Sequence, residues 1–460
     1  MRRLIISISL LFAVILLLSQ ACRKPEEQTE DDYNEWLSGG SETVFISGGG
    51  AFSAAFPSLT GRDEFNHGVG DGAFEATFVS SPAPIHAGLG PIFNSVSCAS
   101  CHIADGRGRP QEANGQMISM LFRVSVPGTD EHGGPLAAPG FGGQLQQRSI
   151  AGKKPEADVA IQYTLQKYTF PDGEEYELRT PIYSMLNPYL PFPGGMMYSP
   201  RVAPPVFGLG LLEAIPEWAI LQNADENDAN KDGISGKANY VWNVVKHERS
   251  LGRFGWKAGA PTLLQQAAGA YNQDMGITNF VFPEESSYGQ SQDEQLNDGV
   301  QVSDSLLYAV AFYMQTLAVP ARRDVEDAGV KQGKMLFKEA GCNSCHVSMF
   351  KTDVNVAFKA ISNQTIFPYT DLLLHDMGAG LADNRPDYLA NGQEWKTPPL
   401  WGIGLTKVVN GHNNFLHDGR ARTFTEAIMW HGGEAAKSAN KFASFTGEER
   451  KALLKFLGSL

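Results

Sequence analysis

The chain has 460 residues, with 50 acidic against 37 basic side chains and a formal net charge of −13. That balance argues against a nucleic-acid partner, whose phosphates require basic contacts. The length allows two or three hydrophobic cores, and 49 glycines with 26 prolines suit a loop-rich protein more than a continuous sheet.

Arg2 and Arg3 precede an apolar run over 4–18 and then Ser19-Gln20-Ala21-Cys22. The run is too short to span a bilayer and ends on small residues, the pattern of a secretory signal over 1–22. Cys22 after Ala21 resembles a lipoprotein cleavage box, so the expected location is the periplasm or cell envelope, with a lipid on Cys22. A plain signal peptide is the alternative. Residues 23–45 read as a charged, solvated tether. No later stretch reaches the roughly 18 apolar residues that a membrane span needs.

Cys98-Ala-Ser-Cys101-His102 and Cys342-Asn-Ser-Cys345-His346 are both C-x-x-C-H. This is the attachment signature of covalent haem c: two thiols add to two vinyl groups, and the histidine binds the iron from below. A thiol redox pair has no need of the histidine. Zinc would want four ligands, and neither copy has a second pair nearby. A disulfide between such close neighbours would be strained. Four of the five cysteines are thus used, two covalent haem c groups are expected, and redox chemistry is the default function.

Between and after these motifs the chain alternates loops and helices. Residues 114–178 mix Val, Gly and Pro and read as short strands. Asp228-Ala-Asn230-Lys-Asp232-Gly233-Ile234 has the D-x-N-x-D-G spacing of a calcium loop, with the Ile234 carbonyl as a further oxygen. Asn239 stands where an EF-hand has its bidentate Glu, and a plain Asp/Asn/Gly surface turn fits the segment equally well. Helices are expected over 303–317, ended by Pro320, and over 327–340, feeding Cys342. Thr423 and Thr446, with Glu426 and Glu449 three residues on, read as capping boxes.

Part of the chain is repeated. Pro204-Pro-Val-Phe-Gly-Leu-Gly-Leu211 matches Pro398-Pro-Leu-Trp-Gly-Ile-Gly-Leu405, each downstream of its own C-x-x-C-H. Residues 256–270 lie on 417–431 without gaps, pairing Ala260 with Ala421 and Thr262 with Thr423. The expected fold is therefore mainly α: two cytochrome-c-like haem domains, 46–320 and 321–460, related by internal duplication. The first would carry large loop and short-strand insertions.

The motifs resemble those of the di-haem oxidoreductase family, often labelled thiol oxidoreductase, and more distantly the bacterial di-haem cytochrome c peroxidases. The resemblance covers nearly all of 60–435. It rests on Gly88-Leu-Gly-Pro-Ile-Phe-Asn94, Asp105-Gly-Arg-Gly108, Ser199-Pro-Arg-Val-Ala203, Gly252-Arg-Phe-Gly-Trp-Lys257, Asp274-Met-Gly-Ile-Thr278, His375-Asp-Met-Gly378 and His417-Asp-Gly-Arg420. It implies an electron-receiving C-terminal haem, a peroxide-meeting N-terminal haem, and a tryptophan between them. Trp256 holds that place, with Lys257-Ala258 instead of Asp-Gly. Gln266 and Asp274-Met275 match a glutamine and an acid–Met pair of the peroxidases, with Asp replacing Glu.

In the peroxidases a sixth iron ligand lies fourteen residues after the His of the H-D-G turn. That position is His431, which implies bis-His ligation of the second iron. Met377 is its rival, and a helix-end cap is the structural alternative. The repeat puts Ala270 at the equivalent place in the first half. The first iron is therefore expected to be open, with Gln266 and Asp274 beside it, unless His67, His86 or His132 ligates from a loop. Asp274 would act as general acid–base and Gln266 as a hydrogen-bond donor. The expected function is a peroxidase-like oxidoreductase fed by a small cytochrome or copper protein. The competing readings are a pure electron-transfer cytochrome and an oxidase of a partner protein or small organic substrate.

Overall fold

The computed structural model describes residues 34–111, 117–293, 299–354 and 357–460. The expected signal segment 1–22, with Cys22, and residues 23–33 of the expected tether lie outside them. Residues Trp36–Leu460 form one compact unit. Its first turn is built in rather than free: Thr43–Val44 pairs in parallel with Val319–Pro320. Among the described residues, no helix is long and apolar enough to cross a membrane.

The mainly α expectation is overturned. The described residues are 28% helix and 19% strand, spread over many small sheets. One sheet is three-stranded: Met120–Ser125 (β1) lies between Gln144–Leu145 (β2) and Met197–Val202, all antiparallel. A second is a long hairpin of Asp158–Thr169 and Glu175–Leu186, in register from Asp158↔Leu186 to Thr169↔Glu175. Its turn uses Gly173 at φ 91, where an L side chain would be strained. The hairpin tip reaches the C-terminal helix. Arg450 lies over the Phe170 ring at 4.0 Å and binds Asp172 and Glu174 at 2.6 Å each.

Six helices position the site: Arg62–Glu75 (α1), Leu263–Met275 (α2), Asp304–Thr316 (α3), Ala328–Glu339 (α4), Phe424–Met429 (α5) and Gly447–Ser459 (α6). Four of them form two matched pairs, in which α1 crosses α3 and α4 crosses α6. Both crossings need a glycine because the backbones touch. A Cβ on Gly70 would collide with the Ala309 carbonyl, and one on Gly333 with the Ala452 carbonyl. The Pro-Pro repeats also fold alike. Gly208 and Gly402, both at φ 71, open the helical turns that follow. Gly210 then abuts the Gln315 carbonyl and Gly404 that of Gly458.

Caps follow local chemistry, with a short side-chain oxygen accepting the first free amides of each helix. Asp327 receives the Gly329 and Val330 amides, and Ser303 receives that of Leu306. Thr262 caps α2 by accepting the Gln265 amide, and Thr423 caps α5 by accepting that of Glu426. Thr446 and Glu449 complete a reciprocal box. At Thr423 the box is only half formed, because Glu426 turns back to the amide and guanidinium of Arg422.

Candidate functional site

Both C-x-x-C-H segments form a single tight turn. Ser97 accepts the Ser100 amide at 3.1 Å to start the short helix Cys98–Cys101, and Gly341 at φ 77 precedes Cys342–Ser344. The histidine amides close back on Cys98 and Cys342 carbonyls, both at 3.0 Å. Each imidazole is then oriented by a carbonyl. His102 Nδ1 meets Pro204 O at 2.7 Å, and His346 Nδ1 meets Tyr369 O at 2.9 Å. A carbonyl can only accept, so Nδ1 carries the proton and Nε2 keeps its lone pair for a metal. Burial lowers both imidazoles to about 4, which keeps them neutral. None of the four cysteines is in a disulfide, and burial raises the Cys98 and Cys342 thiols to about 12.

All four cysteines and both histidines line one cavity of about 780 Å³. Its walls include Phe52, Phe207 and Met275 in the first half and Phe337, Trp401 and Leu457 in the second. An apolar cavity with two neutral, pre-oriented imidazoles beside paired thiols fits two haem groups.

His431 lines the same cavity. Its Nδ1 meets Ala427 O at 2.7 Å, which leaves Nε2 free just as in His346. The two rings also sense each other electrostatically. Met377 reaches the cavity too, from the segment after Leu374–Asp376.

On the first-half side α2 presents Gln266, Ala270 and Asp274, spaced by four residues and all lining the cavity. Asp274 Oδ1 accepts Gln144 Nε2 at 2.7 Å. Burial raises its carboxyl, against the pull of Arg123 and the Gln144 hydrogen bond. Of His67, His86 and His132, only His132 lines the cavity, stacked on Trp242 at 3.9 Å, and His67 lies on α1 rather than on a loop. His67 bonds Thr316 Oγ1 at 2.7 Å, and His86 packs near Phe78.

Trp256 is buried between the halves. Its indole N–H donates to Val202 O at 2.8 Å, its carbonyl accepts the Lys396 amide at 2.9 Å, and the Arg107 guanidinium lies 5.0 Å from its ring. Lys257, the departure from the peroxidase segment, is fully buried. Its Nζ binds Asp383 Oδ1 at 2.7 Å, Arg385 O at 2.8 Å and Asn391 O at 2.9 Å.

Several cavity residues receive no role from the sequence. Arg123 on β1 is half-buried, bonds Gln273 Oε1 and interacts with Asp274. Trp395 stacks on His417 at 3.8 Å. His375 lies between Asp371 (2.7 Å) and Glu434 (2.8 Å), with Cys345 Sγ 3.5 Å away. Desolvation opposes its charge, but these partners prevail and push it up to about 12. Cys345, Asp371 and His375 are close enough to hold a metal. Yet both ring nitrogens already face carboxylates, so an imidazolium fits the site as it stands.

The Asp228 loop is exposed and closed on itself. Asp228 Oδ1 accepts the Gly233 amide at 3.1 Å, Asn230 Nδ2 donates to Asp232 Oδ2 at 3.1 Å, and Asp232 Oδ1 accepts the Ile234 amide at 2.8 Å. The Lys437 ammonium occupies the Asp232 carbonyl at 2.5 Å.

No curated protein matches the chain. Among solved structures, a hydrazine synthase from Kuenenia stuttgartiensis, pressurised with xenon, is similar at 18% identity and a TM-score of 0.24. The match covers 36% of this chain and 58% of that one. The family model described as "Di-haem oxidoreductase, putative peroxidase" matches residues 33–460. The chain therefore belongs to the di-haem oxidoreductase family.

Proposed function

We propose that this protein reduces hydrogen peroxide at its N-terminal haem, while its C-terminal haem passes in electrons from a small cytochrome or copper protein. One observation carries the reading. His431 stands on the cavity wall of the second half, and Ala270, which cannot bind iron, stands at the matching place in the first. The haem groups, held through Cys98, Cys101, Cys342 and Cys345, would supply the redox chemistry.

The side chains of the first half would do the rest. Asp274, its Oδ1 tied to Gln144, would take a proton from one peroxide oxygen and return it to the other. Gln266 and the Arg123 guanidinium would stabilise the charge that develops as the O–O bond lengthens. Trp256, in contact with both halves, would offer a path for electrons. His431 would keep the second iron six-coordinate and closed to peroxide. The segment 1–22 would direct the chain to the envelope, with a lipid on Cys22.

Electron paramagnetic resonance of the oxidised protein tests the asymmetry: one high-spin and one low-spin ferric haem are expected. Low-spin signals alone, with no Soret change on mixing with peroxide, would instead indicate a non-catalytic electron-transfer cytochrome.

A further inference from the structure

Each C-x-x-C-H histidine is backed by an aromatic pair that the helix crossings put in place. Phe74 lies 6.1 Å from the His102 ring and 5.3 Å from Tyr313. Phe337 lies 6.2 Å from the His346 ring and 5.3 Å from Phe456. Tyr313 and Phe456 are structural equivalents. Each follows by four residues the carbonyl that meets the crossing glycine, Ala309 for Gly70 and Ala452 for Gly333.

The equivalence makes their chemical difference informative. Phe456 has no polar atom and packs edge-on against Tyr369 at 5.8 Å. Tyr313 is 2% exposed and donates its phenolic hydrogen to Asp105 Oδ1 at 2.8 Å. Asp105 is itself buried and lies in the Asp-Gly-Arg-Gly segment after the first motif. The His67 ring stands 4.9 Å from Tyr313 and is only half-buried, so the cluster runs from behind His102 toward the surface. A buried phenol gives up an electron readily only when its proton has somewhere to go. A carboxylate at hydrogen-bond distance accepts it without a charge being created in the dry interior.

We infer that Tyr313 is a redox-active residue of the first half, giving an electron through Phe74 and His102 when peroxide is reduced and no external electron is available. The inference rests on the proposed reaction of peroxide at the N-terminal haem. Hydrogen peroxide takes up two electrons and two protons and becomes two waters. Tyr313 gives one electron, the haem centre gives the other, and solvent supplies both protons. The phenolic proton moves to Asp105 Oδ1, leaving a neutral tyrosyl radical beside a neutral carboxylic acid. The second half has Phe456 in that position, with Tyr369 packed edge-on beside it.

The test mixes the fully oxidised holoprotein with one equivalent of hydrogen peroxide, without reductant. Soret absorbance is followed, and a parallel sample is frozen for paramagnetic resonance. Protein grown on ring-deuterated tyrosine identifies a tyrosyl signal by its narrowing. The expected result is a Soret change with a tyrosyl radical whose yield falls at least tenfold in Tyr313→Phe. Asp105→Asn, which removes the proton acceptor but keeps the tyrosine, is expected to lower the yield as well. A Soret change with no tyrosyl radical, or with its yield unchanged in Tyr313→Phe, overturns the inference and leaves the peroxide reading intact. No Soret change overturns both.

Discussion

Replacing Asp274 by Asn isolates proton movement from everything else at the first-half site. Asn is nearly isosteric, and its Oδ1 can still accept Gln144 Nε2, which now meets Asp274 Oδ1 at 2.7 Å. The Asp274 backbone carbonyl, which holds the Asn94 and Ser95 amides at 2.8 and 3.0 Å, is untouched. The Gln144, Asn94 and Ser95 hydrogen bonds are therefore retained, and the ionisable group is lost with the charge that faces Arg123. General acid–base catalysis contributes about 10²–10⁴-fold, equivalent to about 2.7–5.4 kcal/mol in the barrier. Stopped-flow measurement of the Soret change against peroxide concentration reads this directly as a second-order rate constant. Because burial raises the Asp274 carboxyl, its neutral form persists to higher pH than for a solvated aspartate. If the carboxylate takes the first proton, the rate rises with pH through that raised value, and the Asn variant is flat. A rate constant within threefold of wild type, with an unchanged pH profile, would refute the role.

The other expectations concern the second half and the seam. His431→Ala should convert the C-terminal haem from low to high spin by paramagnetic resonance, whereas Met377→Leu should leave it low-spin; the opposite pattern makes Met377 the ligand. Lys257→Met should cost about 3–5 kcal/mol, because it strands Asp383 in the interior. Urea unfolding of the variant, and of Lys257→Met combined with Asp383→Leu, checks this: the double variant should recover part of the loss. Gly333→Ala should destabilise the second half by about 1–3 kcal/mol, since its Cβ meets the Ala452 carbonyl and the packed helices must part. The same unfolding measurement reads it.

What is legible in the sequence is local. The attachment turns, the Thr423, Thr446 and Asp327 caps and the glycines of the Pro-Pro repeats each depend on residues within a few positions. The strand content is harder to see, although the long hairpin carries a usable signal. Its strands flank Phe170-Pro-Asp-Gly173, a turn with a mechanism, but they sit in a region whose Gly and Pro content also suits an insertion of loops and short strands. Arg123 has no such signal. It lies on a strand 150 residues from Gln273, and only the tertiary fold brings it beside Asp274. Lys257 looks in the sequence like a lost catalytic-segment residue; the structure gives it a partner set of one carboxylate and two carbonyls that no spacing rule encodes.

The two halves share a scaffold and differ in where protons can be held. Both have a glycine crossing, a phenylalanine behind the histidine, a carbonyl on Nδ1 and a threonine cap on the helix facing the cavity. In the first half that helix offers Ala270 flanked by Gln266 and Asp274, and the phenylalanine is followed by Tyr313 on Asp105. In the second it leads to His431, and the phenylalanine is followed by Phe456. The charged groups of the second half, His375 with Asp371 and Glu434, satisfy one another. Peroxide reduction consumes protons, whereas electron relay does not. Matched crossings that keep proton-bearing groups beside His102 and let those beside His346 satisfy one another are what the proposed division of labour requires.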